Sequence, residues 1–388
     1  MAIELSSITF TEQDDVVPVS GVEKIFNTGI TNTLAGNDII TGDSGNNSST
    51  SPDRFSGITN TGTLNTDGGN DILTGIFNDQ NTNFFAGFGI LNEGGTIDTG
   101  NDNDIITGIV QINRRAFGIA NGGTIKTGEG NDTIIGISLR GGGIIVQNGT
   151  INTGNGNDTL TGITSSGTGL SFGTGGSLDT GHGNDVITGT GAVGISTFLA
   201  PFNTGDGNDT IIGTSTSEGL NGITNRGPMN TGDGNDIITG TGTGSNSVGI
   251  LNFNPDFFDT VAIIDTGEGD DTITGAGNIG IHNDAIIDTG NGQDSIIADG
   301  GFDGSGNVFL GNGKDYIKGF GSGNFNGGNG KDTLELTSGN YIVGISGTTV
   351  NFIKDSTIMK TSDFEILIAG NTTYGISSLS NGQTIFIA

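Results

Sequence analysis

The chain has no cysteine and no tryptophan, and only 12 of its 388 residues are lysine or arginine. Without cysteine it can form neither disulfide bonds nor thiol sites, so an extracellular chain of this kind would need another cross-link. Against 42 aspartates and glutamates, the few basic residues leave a net charge of −30. This charge excludes nucleic acid as a natural partner, because phosphate binding requires a basic surface, and it predicts cations as ligands.

Long apolar runs are also missing. No stretch reaches 18 apolar residues, so we expect no transmembrane helix and no membrane insertion. The first 15 residues lack the basic and apolar regions of a secretory signal peptide, so export would require a signal elsewhere. Apolar residues make up only 31% of the chain, a fraction typical of disorder, but glycine, asparagine and aspartate recur in register with isoleucine and leucine. That register predicts an ordered repeat.

A six-residue phrase, Thr-Gly-x-Gly-Asn-Asp in its cleanest copies, recurs twelve times. Every copy ends in an aspartate, and an isoleucine or leucine follows two residues later. The twelve aspartates are Asp38, Asp71, Asp104, Asp132, Asp158, Asp185, Asp209, Asp236, Asp271, Asp294, Asp315 and Asp332. The aliphatic residues that follow are Ile40, Leu73, Ile106, Ile134, Leu160, Ile187, Ile211, Ile238, Ile273, Ile296, Ile317 and Leu334.

A second phrase, Gly-Ile-x-Asn, precedes the first in most units, as in residues 118–121 and 280–283. One unit therefore reads as three short segments of period two, separated by three turns. Three short strands cannot bury their apolar sides alone, but stacked coils of a parallel β-helix can. We therefore predict an all-β fold, a right-handed parallel β-helix or β-roll solenoid, in which the turn glycines adopt positive φ.

Stacking also predicts side-chain ladders. An asparagine ladder is expected at one corner, interrupted at Gln147, Thr174 and Phe198. Its members are Asn60, Asn92, Asn121, Asn225, Asn252 and Asn283. The threonines that open the turn phrase should align as a row, which comprises Thr66, Thr99, Thr127, Thr153, Thr180, Thr204, Thr231, Thr266 and Thr289.

The aspartates should form a column at strand spacing. Two unit charges that close repel by roughly 1 kcal/mol in water and by about 4 kcal/mol near a protein surface, and a divalent cation between adjacent turns would reverse this. Ca²⁺ accepts six to eight oxygen ligands in flexible geometry, whereas Mg²⁺ requires a stricter octahedron. Zn²⁺ would seek cysteine or histidine, and the chain has no Cys and two His.

We therefore predict about ten Ca²⁺ ions, bound by the twelve aspartates and by backbone carbonyls of the turns. The candidate glycines in the turns are Gly128, Gly130, Gly154, Gly156, Gly181, Gly183, Gly205, Gly207, Gly232, Gly234, Gly267, Gly269, Gly290 and Gly292.

These turns resemble the nonapeptide Gly-Gly-x-Gly-x-Asp-x-U-x of the RTX (repeats-in-toxin, haemolysin-type) family, where U is a large aliphatic residue. The resemblance implies Ca²⁺ held by aspartates and turn carbonyls of neighbouring repeats in a parallel β-roll. The chain departs from the family in placing Thr at the first position and in repeating once per long coil. Residues 363–388 are similar to the C-termini of cyanobacterial RTX-repeat proteins, which implies type I secretion with an uncleaved C-terminal signal and a secreted or cell-surface location.

The spacing of the phrase divides the chain. We expect an N-terminal cap at residues 1–33 and a long-coil calcium-binding β-helix at 34–300. Because the spacing shortens to 21 and then 17 residues after Asp294, we expect a shorter-period β-roll at 301–336. Residues 337–388, where β-branched strands replace turn glycines, are expected to form a C-terminal β cap that carries the secretion signal.

Nearly every residue serves the repeat, so we expect no catalytic site and a structural role in a surface layer, fibre or adhesive. Candidate partners are a cell-surface polysaccharide and further copies of the chain, associated laterally or end to end. One alternative is a carbohydrate-active enzyme, a polysaccharide lyase or epimerase, with its site in the loops at Arg114, Arg115 and residues 254–259. Another is ice or mineral binding by the threonine row.

Overall fold

The computed structural model describes residues 2–18, 23–45, 56–79, 87–112, 115–254 and 261–388. The chain divides into two compact units, residues 1–205 (unit 1) and 206–388 (unit 2), and each is described by itself. The described residues form β-strands and two short 3-10 helices, Leu5–Ser7 and Ile376–Ser378, with no α-helix. Within these ranges, no helix has the length and apolar character needed to cross a membrane.

Short strands make up unit 1. In chain order they are β1 (Ala2–Glu4), β2 (Val16–Val17), β3 (Lys24–Asn27), β4 (Ile30–Asn32), β5 (Ile39–Asp43), β6 (Ser56–Asn60), β7 (Thr63–Asn65), β8 (Ile72–Phe77), β9 (Phe88–Asn92), β10 (Thr96–Asp98), β11 (Ile105–Val110), β12 (Arg115–Asn121), β13 (Thr124–Lys126), β14 (Thr133–Ser138), β15 (Arg140–Val146), β16 (Thr150–Asn152), β17 (Thr159–Thr164), β18 (Thr168–Phe172), β19 (Ser177–Asp179), β20 (Val186–Gly191), β21 (Val193–Thr197) and β22 (Phe202–Asn203).

Unit 2 is built in the same way. Its strands are β23 (Thr210–Glu218), β24 (Ile223–Asn225), β25 (Pro228–Asn230), β26 (Ile237–Thr243), β27 (Val248–Phe253), β28 (Ile263–Asp265), β29 (Thr272–Ala276), β30 (Ile279–Asp284), β31 (Ile286–Asp288), β32 (Asn291–Gly292), β33 (Ser295–Asp299), β34 (Phe302–Asp303), β35 (Asn307–Phe309), β36 (Asn312–Gly313), β37 (Tyr316–Lys318), β38 (Gly323–Asn326), β39 (Asn329–Gly330), β40 (Thr333–Leu336), β41 (Gly339–Ser346), β42 (Thr349–Lys354), β43 (Thr357–Ser362), β44 (Ile366–Ala369), β45 (Thr372–Gly375) and β46 (Thr384–Ile387).

In unit 1 every third strand pairs in parallel, which is the signature of a β-helix. Sheet 1 contains the strands that follow the aspartates, in the order β2-β5-β8-β11-β14-β17-β20. Sheet 2 contains the Gly-Ile-x-Asn strands, β1-β3-β6-β9-β12-β15-β18-β21, and sheet 3 contains β4-β7-β10-β13-β16-β19-β22. The predicted all-β parallel β-helix is therefore confirmed, while its handedness stays a prediction.

Unit 2 repeats the three sheets and then changes. Its coils place β23-β26-β29-β33-β37-β40-β44 in sheet 1, β24-β27-β30-β34 in sheet 2 and β25-β28-β31-β35-β38-β43 in sheet 3. A small extra sheet, β32-β36-β39, forms where the spacing of the aspartates shortens. From β41 onward antiparallel pairing appears, with β42 between β41 and β43, β46 beside β41, and β45 beside β44. Strands β43 and β44 still pair in parallel with β38 and β40.

The core is a stripe of buried side chains, mostly aliphatic, to which all three sheets contribute. In one coil these are Ile134, Ile144 and Ile151, all fully buried. The twelve aliphatic residues that follow the aspartates are each at most 2% exposed, as their position two residues after a turn predicts. Strands β3 and β4, within the range assigned to an N-terminal cap, already pair in parallel with β6 and β7.

The asparagine ladder is present, but its interruption was assigned to the wrong residues. Asn60 donates from Nδ2 to Oδ1 of Asn92 at 2.8 Å, and Asn92 donates likewise to Asn121. The register then continues through Val146, Phe172 and Thr197, not through Gln147, Thr174 and Phe198. Asn27 also joins the ladder, donating to Asn60 at 2.8 Å.

Sheets 1 and 2 approach each other closely at pairs of glycines, just before the variable loop of the coil. A Cβ added to the sheet 1 glycine would lie 2.1–2.4 Å from the carbonyl oxygen of its partner in sheet 2. In unit 1 the pairs are Gly42–Gly57, Gly75–Gly89, Gly108–Gly118, Gly136–Gly143, Gly162–Gly169 and Gly189–Gly194; in unit 2 they are Gly213–Gly222, Gly240–Gly249 and Gly275–Gly280. Backbone contacts backbone here, so no side chain fits.

Gly162→Ala should therefore destabilise the protein by about 2 kcal/mol or more, because its new methyl group would meet the Gly169 carbonyl at 2.2 Å. Gly68→Ala is the matched control, since a Cβ there meets nothing within 4 Å, and we expect a change within about 0.5 kcal/mol. Urea denaturation followed by circular dichroism measures both. Equal stability of the two variants would contradict the close backbone contact at the glycine pairs.

Candidate metal centre in the aspartate column

The side chains of eleven repeat aspartates accept a backbone N–H from the preceding coil. In unit 1 the backbone N–H of Asp132 donates to Oδ1 of Asp158 at 2.8 Å, and the N–H of Asp158 donates to Oδ1 of Asp185 at 2.7 Å. The same contact joins the pairs Asp15–Asp38, Asp38–Asp71, Asp71–Asp104 and Asp104–Asp132. The predicted aspartates are thus brought into one column.

Unit 2 contains an equivalent column with a different ending. The N–H groups of Asp209, Asp236, Asp271, Asp294 and Asp315 each donate to Oδ1 of the next aspartate at 2.7–2.9 Å. The N–H of Asp332 donates instead to Oε2 of Glu365 at 2.8 Å. Glu365 was not predicted from the sequence, although Leu367 follows two residues later and pairs in register with Leu334.

The second carboxylate oxygen is buried without a protein partner. All twelve aspartates are at most 2% exposed. At ten of them Oδ2 accepts no hydrogen bond from any described residue, and these are Asp38, Asp71, Asp104, Asp132, Asp158, Asp236, Asp271, Asp294, Asp315 and Asp332. A buried carboxylate that lacks partners is costly unless it gains a proton or a cation.

Burial raises the pKa of these carboxyl groups far above the ordinary 3.8. It raises the pKa of Asp104 and Asp271 to about 7, and neighbouring aspartates in the column raise it further, while the accepted backbone amide lowers it only in part. The pKa is raised to about 6 at Asp71, Asp158, Asp236, Asp294, Asp315 and Asp332. Ionisation of all these carboxyl groups together is therefore unfavourable unless a cation neutralises them.

A second set of hydrogen bonds lies on the outside of the turn, one residue before most of the aspartates. The side chain of Asn131 accepts, through Oδ1, the backbone N–H of Asn157 in the following coil at 2.7 Å. Asn157 does the same for Asn184, and in unit 2 Asn208 does so for Asn235. This hydrogen bond of the asparagine side chain was not predicted from the sequence, although the recurrence of asparagine at the fifth position of the phrase could have indicated it. Adjacent turns are thereby tied in both directions.

The threonine row lines the inside of the turn, not its surface. Each of its nine members is at most 2% exposed. Thr127, for example, donates from Oγ1 to the carbonyl of Thr153 in the next coil at 3.1 Å. Because alternation places the residue before the turn glycine inward, the hypothesis that this row binds ice or a mineral is wrong.

Two kinds of oxygen remain candidate metal ligands at each turn, the aspartate Oδ2 and backbone carbonyls. The glycines of the best copies adopt positive φ as predicted, for instance 98° at Gly128 and 141° at Gly130. The Gly128 carbonyl already accepts the N–H of Asn155 at 2.9 Å, so the first glycine of the phrase is committed to the neighbouring coil. Gly130 instead donates its own N–H to the Asn155 carbonyl at 2.8 Å.

Calcium would therefore be held by few side chains and many backbone oxygens. In the part of the chain that the structure describes, no three His, Cys, Asp or Glu side chains converge in a cluster that could hold a metal. Each of two stacked turns would nevertheless supply one aspartate carboxylate, and backbone carbonyls would complete the six to eight oxygens that Ca²⁺ accepts. The unpartnered Oδ2 atoms suit a calcium ion, because each is buried and accepts no hydrogen bond from a described residue.

The loops considered for catalysis lie largely outside the described residues. Arg114 and residues 255–259 are among those not described. Of the flanking residues, Arg115 is exposed on β12, and Asn254 accepts the N–H of Ala262 through Oδ1 at 2.8 Å.

Comparison with known proteins finds similarity to a solved structure but no sequence relative. No family model matches the sequence, and no curated protein matches it. The chain is similar to a hyperactive, Ca²⁺-dependent, β-helical antifreeze protein from an Antarctic bacterium, solved by X-ray crystallography. The sequence identity is 15% and the TM-score is 0.41, over 98% of this chain and 99% of the other.

The raised pKa values predict an inverted pH dependence for the metal-free protein. The folded state binds more protons than the unfolded chain between the ordinary pKa of 3.8 and the folded values of about 6 to 7. Stability after removal of metal should thus be highest at acid pH and be lost as the pH rises through 6–7. Thermal melts at pH 5 and pH 8 after treatment with chelating resin, with calcium-saturated protein as the control, measure this. A higher melting temperature at pH 8 than at pH 5 would contradict it.

Proposed function

We propose that the aspartate column binds about ten Ca²⁺ ions and that this binding folds the chain. The observation that carries the proposal is the set of ten buried Oδ2 atoms that lack a hydrogen-bond donor. Near neutral pH a proton satisfies them only in part, because the pKa values of eight of these carboxyl groups lie at about 6 to 7. A calcium ion between adjacent turns would neutralise two carboxylates at once and take up the remaining carbonyl oxygens.

Calcium binding would couple folding to location. At low Ca²⁺ the column repels itself and the chain stays unfolded, a form suited to passage through a narrow channel. At the higher Ca²⁺ outside a cell, binding energy becomes folding energy. The resemblance of the turns and of residues 363–388 to RTX proteins supports type I secretion. We accordingly propose a secreted or cell-surface location.

The role we propose is structural and non-enzymatic, in a surface layer, fibre or adhesive. This proposal is supported by the structural roles that the residues of each coil already have. Apolar residues form the core, asparagines form the ladder and the bonds between turns, and the aspartates form the column. Calcium takes the place of the disulfide bonds that a chain without cysteine cannot form. The partners that we propose are a cell-surface polysaccharide and further copies of the chain.

Removal of calcium should unfold the protein near neutral pH. We expect circular dichroism to change from a β-sheet spectrum to that of an unfolded chain when a chelator is added at pH 7.5, and to recover when excess Ca²⁺ is restored. Calorimetric titration of the metal-free chain should give about ten ions per chain, in line with one shared ion per pair of adjacent turns. Retention of the full β-sheet spectrum in excess chelator would refute calcium-dependent folding.

Asp104→Asn should have opposite effects with and without calcium. The amide keeps the oxygen that accepts the Asp71 N–H at 2.8 Å but removes the buried charge. With calcium bound, the variant should lose at least one ion and melt at a lower temperature. Without calcium at pH 6 it should be more stable than the unchanged chain, by roughly 1–3 kcal/mol.

Asp102→Asn is the matched control, because Asp102 is an exposed aspartate in the same turn. It should change neither the number of ions nor the melting temperature in chelator. A purely structural role for Asp104 would give Asp104→Asn the same sign of effect in both conditions.

A further inference from the structure

A groove on the outer face of sheet 2 in unit 1 is not used by the calcium column. It occupies ≈560 Å³ beside Arg115, Arg140, Thr168 and Ser171. A second depression of ≈410 Å³ adjoins it and shares Arg115, Phe117 and Ile145 with it. The combined groove crosses β9, β12, β15 and β18, so an extended ligand would lie across the strands.

The two arginines are held side by side by the backbone. Arg115 and Arg140 are register partners on adjacent strands, which lie about 4.8 Å apart. Oγ of Ser138 lies 2.7 Å from the carbonyl oxygen of Ala116 and 2.8 Å from that of Arg140, and it accepts the Arg140 N–H at 3.1 Å. This single hydroxyl therefore joins the two strands next to the arginines.

The strand that carries Arg115 is anchored from below. Ala116 is fully buried in a small apolar cluster with Phe77, Val110 and Ile112. Alternation along β12 then directs Arg115 and Phe117 to the opposite, solvent-facing side. The orientation of the groove residues is therefore set by packing beneath them.

An apolar strip runs beside the arginines. The rings of Phe88 and Phe117, on adjacent strands, are nearly parallel, with centroids 6.0 Å apart and planes 15° apart. Both are half-buried, and Phe117 lines both depressions. Aromatic side chains next to polar donors form surfaces that hold a ligand with apolar and polar faces.

The charge of the groove is opposite to that of the chain. The protein carries a net charge of −30, yet no acidic residue lines the larger depression, and of the described residues only Glu93 is acidic in the smaller one. No ion pair joins Arg115 or Arg140 to a described carboxylate. Two cations placed in register repel each other, and an anion between them would remove that repulsion.

We propose that this groove binds an anionic saccharide composed of uronic acid units. The guanidinium groups of Arg115 and Arg140 hold successive carboxylates through paired N–H donors, as arginine forks do. The apolar face of a sugar ring packs on Phe117 and Phe88, and the hydroxyls of Thr168 and Ser171 meet the sugar hydroxyls. This inference rests on the proposed surface role and names the chemistry of its polysaccharide partner.

The test uses the calcium-loaded full chain and a galacturonate oligomer too short to gel with calcium. Isothermal titration calorimetry should detect binding of the free acid and much weaker binding of its methyl ester, which has the same sugar rings without the charge. Arg115→Gln combined with Arg140→Gln should weaken binding by about tenfold or more, or ~1.4 kcal/mol. Phe117→Leu should also weaken it.

Lys126→Gln, which removes one positive charge outside the groove, is the matched control and should leave the affinity unchanged. Circular dichroism of the same samples separates the two proposals, because loss of fold concerns calcium and loss of binding by a folded chain concerns the groove. Equal binding of acid and ester, no binding by a folded chain, or full affinity in the double arginine variant would each overturn the proposal. The last result would mean that bound calcium bridges protein and saccharide.

Discussion

Repetition of one buried carboxylate per coil is the constraint on which the remaining structure depends. In eleven aspartates of the repeat Oδ1 accepts a backbone N–H of the preceding coil, so the side chain cannot turn outward without breaking a bond between turns. Oδ2 is therefore held in the interior at strand spacing from the next, where like charges repel. Protons or shared cations would relieve this repulsion, and we have proposed that calcium does so.

Adjacent coils are joined to a large extent at their turns, through hydrogen bonds between side chains and backbone. In one turn the side chain of Asn131 accepts the backbone N–H of Asn157 in the following coil, and the side chain of Asp132 accepts the backbone N–H of Asp104 in the preceding coil. The core is narrow, with one to two buried side chains per sheet in a coil, and sheets 1 and 2 meet at glycine without side chains between them. Calcium is the additional source of stability that we propose for so narrow a core.

Much of this could be read from the sequence, because alternation and a fixed spacing determine which face each residue takes. The three strands per coil, the buried Ile134 stripe and the alignment of the aspartates followed directly. Other features depended on exact register across variable loops: the interruption of the asparagine ladder was misplaced by a residue or two, as with Gln147 for Val146. Glu365 was missed because it replaces an aspartate outside the phrase, and the glycine pairs were missed because their partners lie across a loop of variable length.

Anomalous X-ray diffraction from crystals of the calcium-loaded protein tests the central claim most directly. A shared-calcium column predicts a row of anomalous peaks at strand spacing, each beside Oδ2 of the buried aspartates and between two adjacent turns. The same aspartates buried in the same column without any anomalous signal beside them would show that protons, not calcium, complete the site.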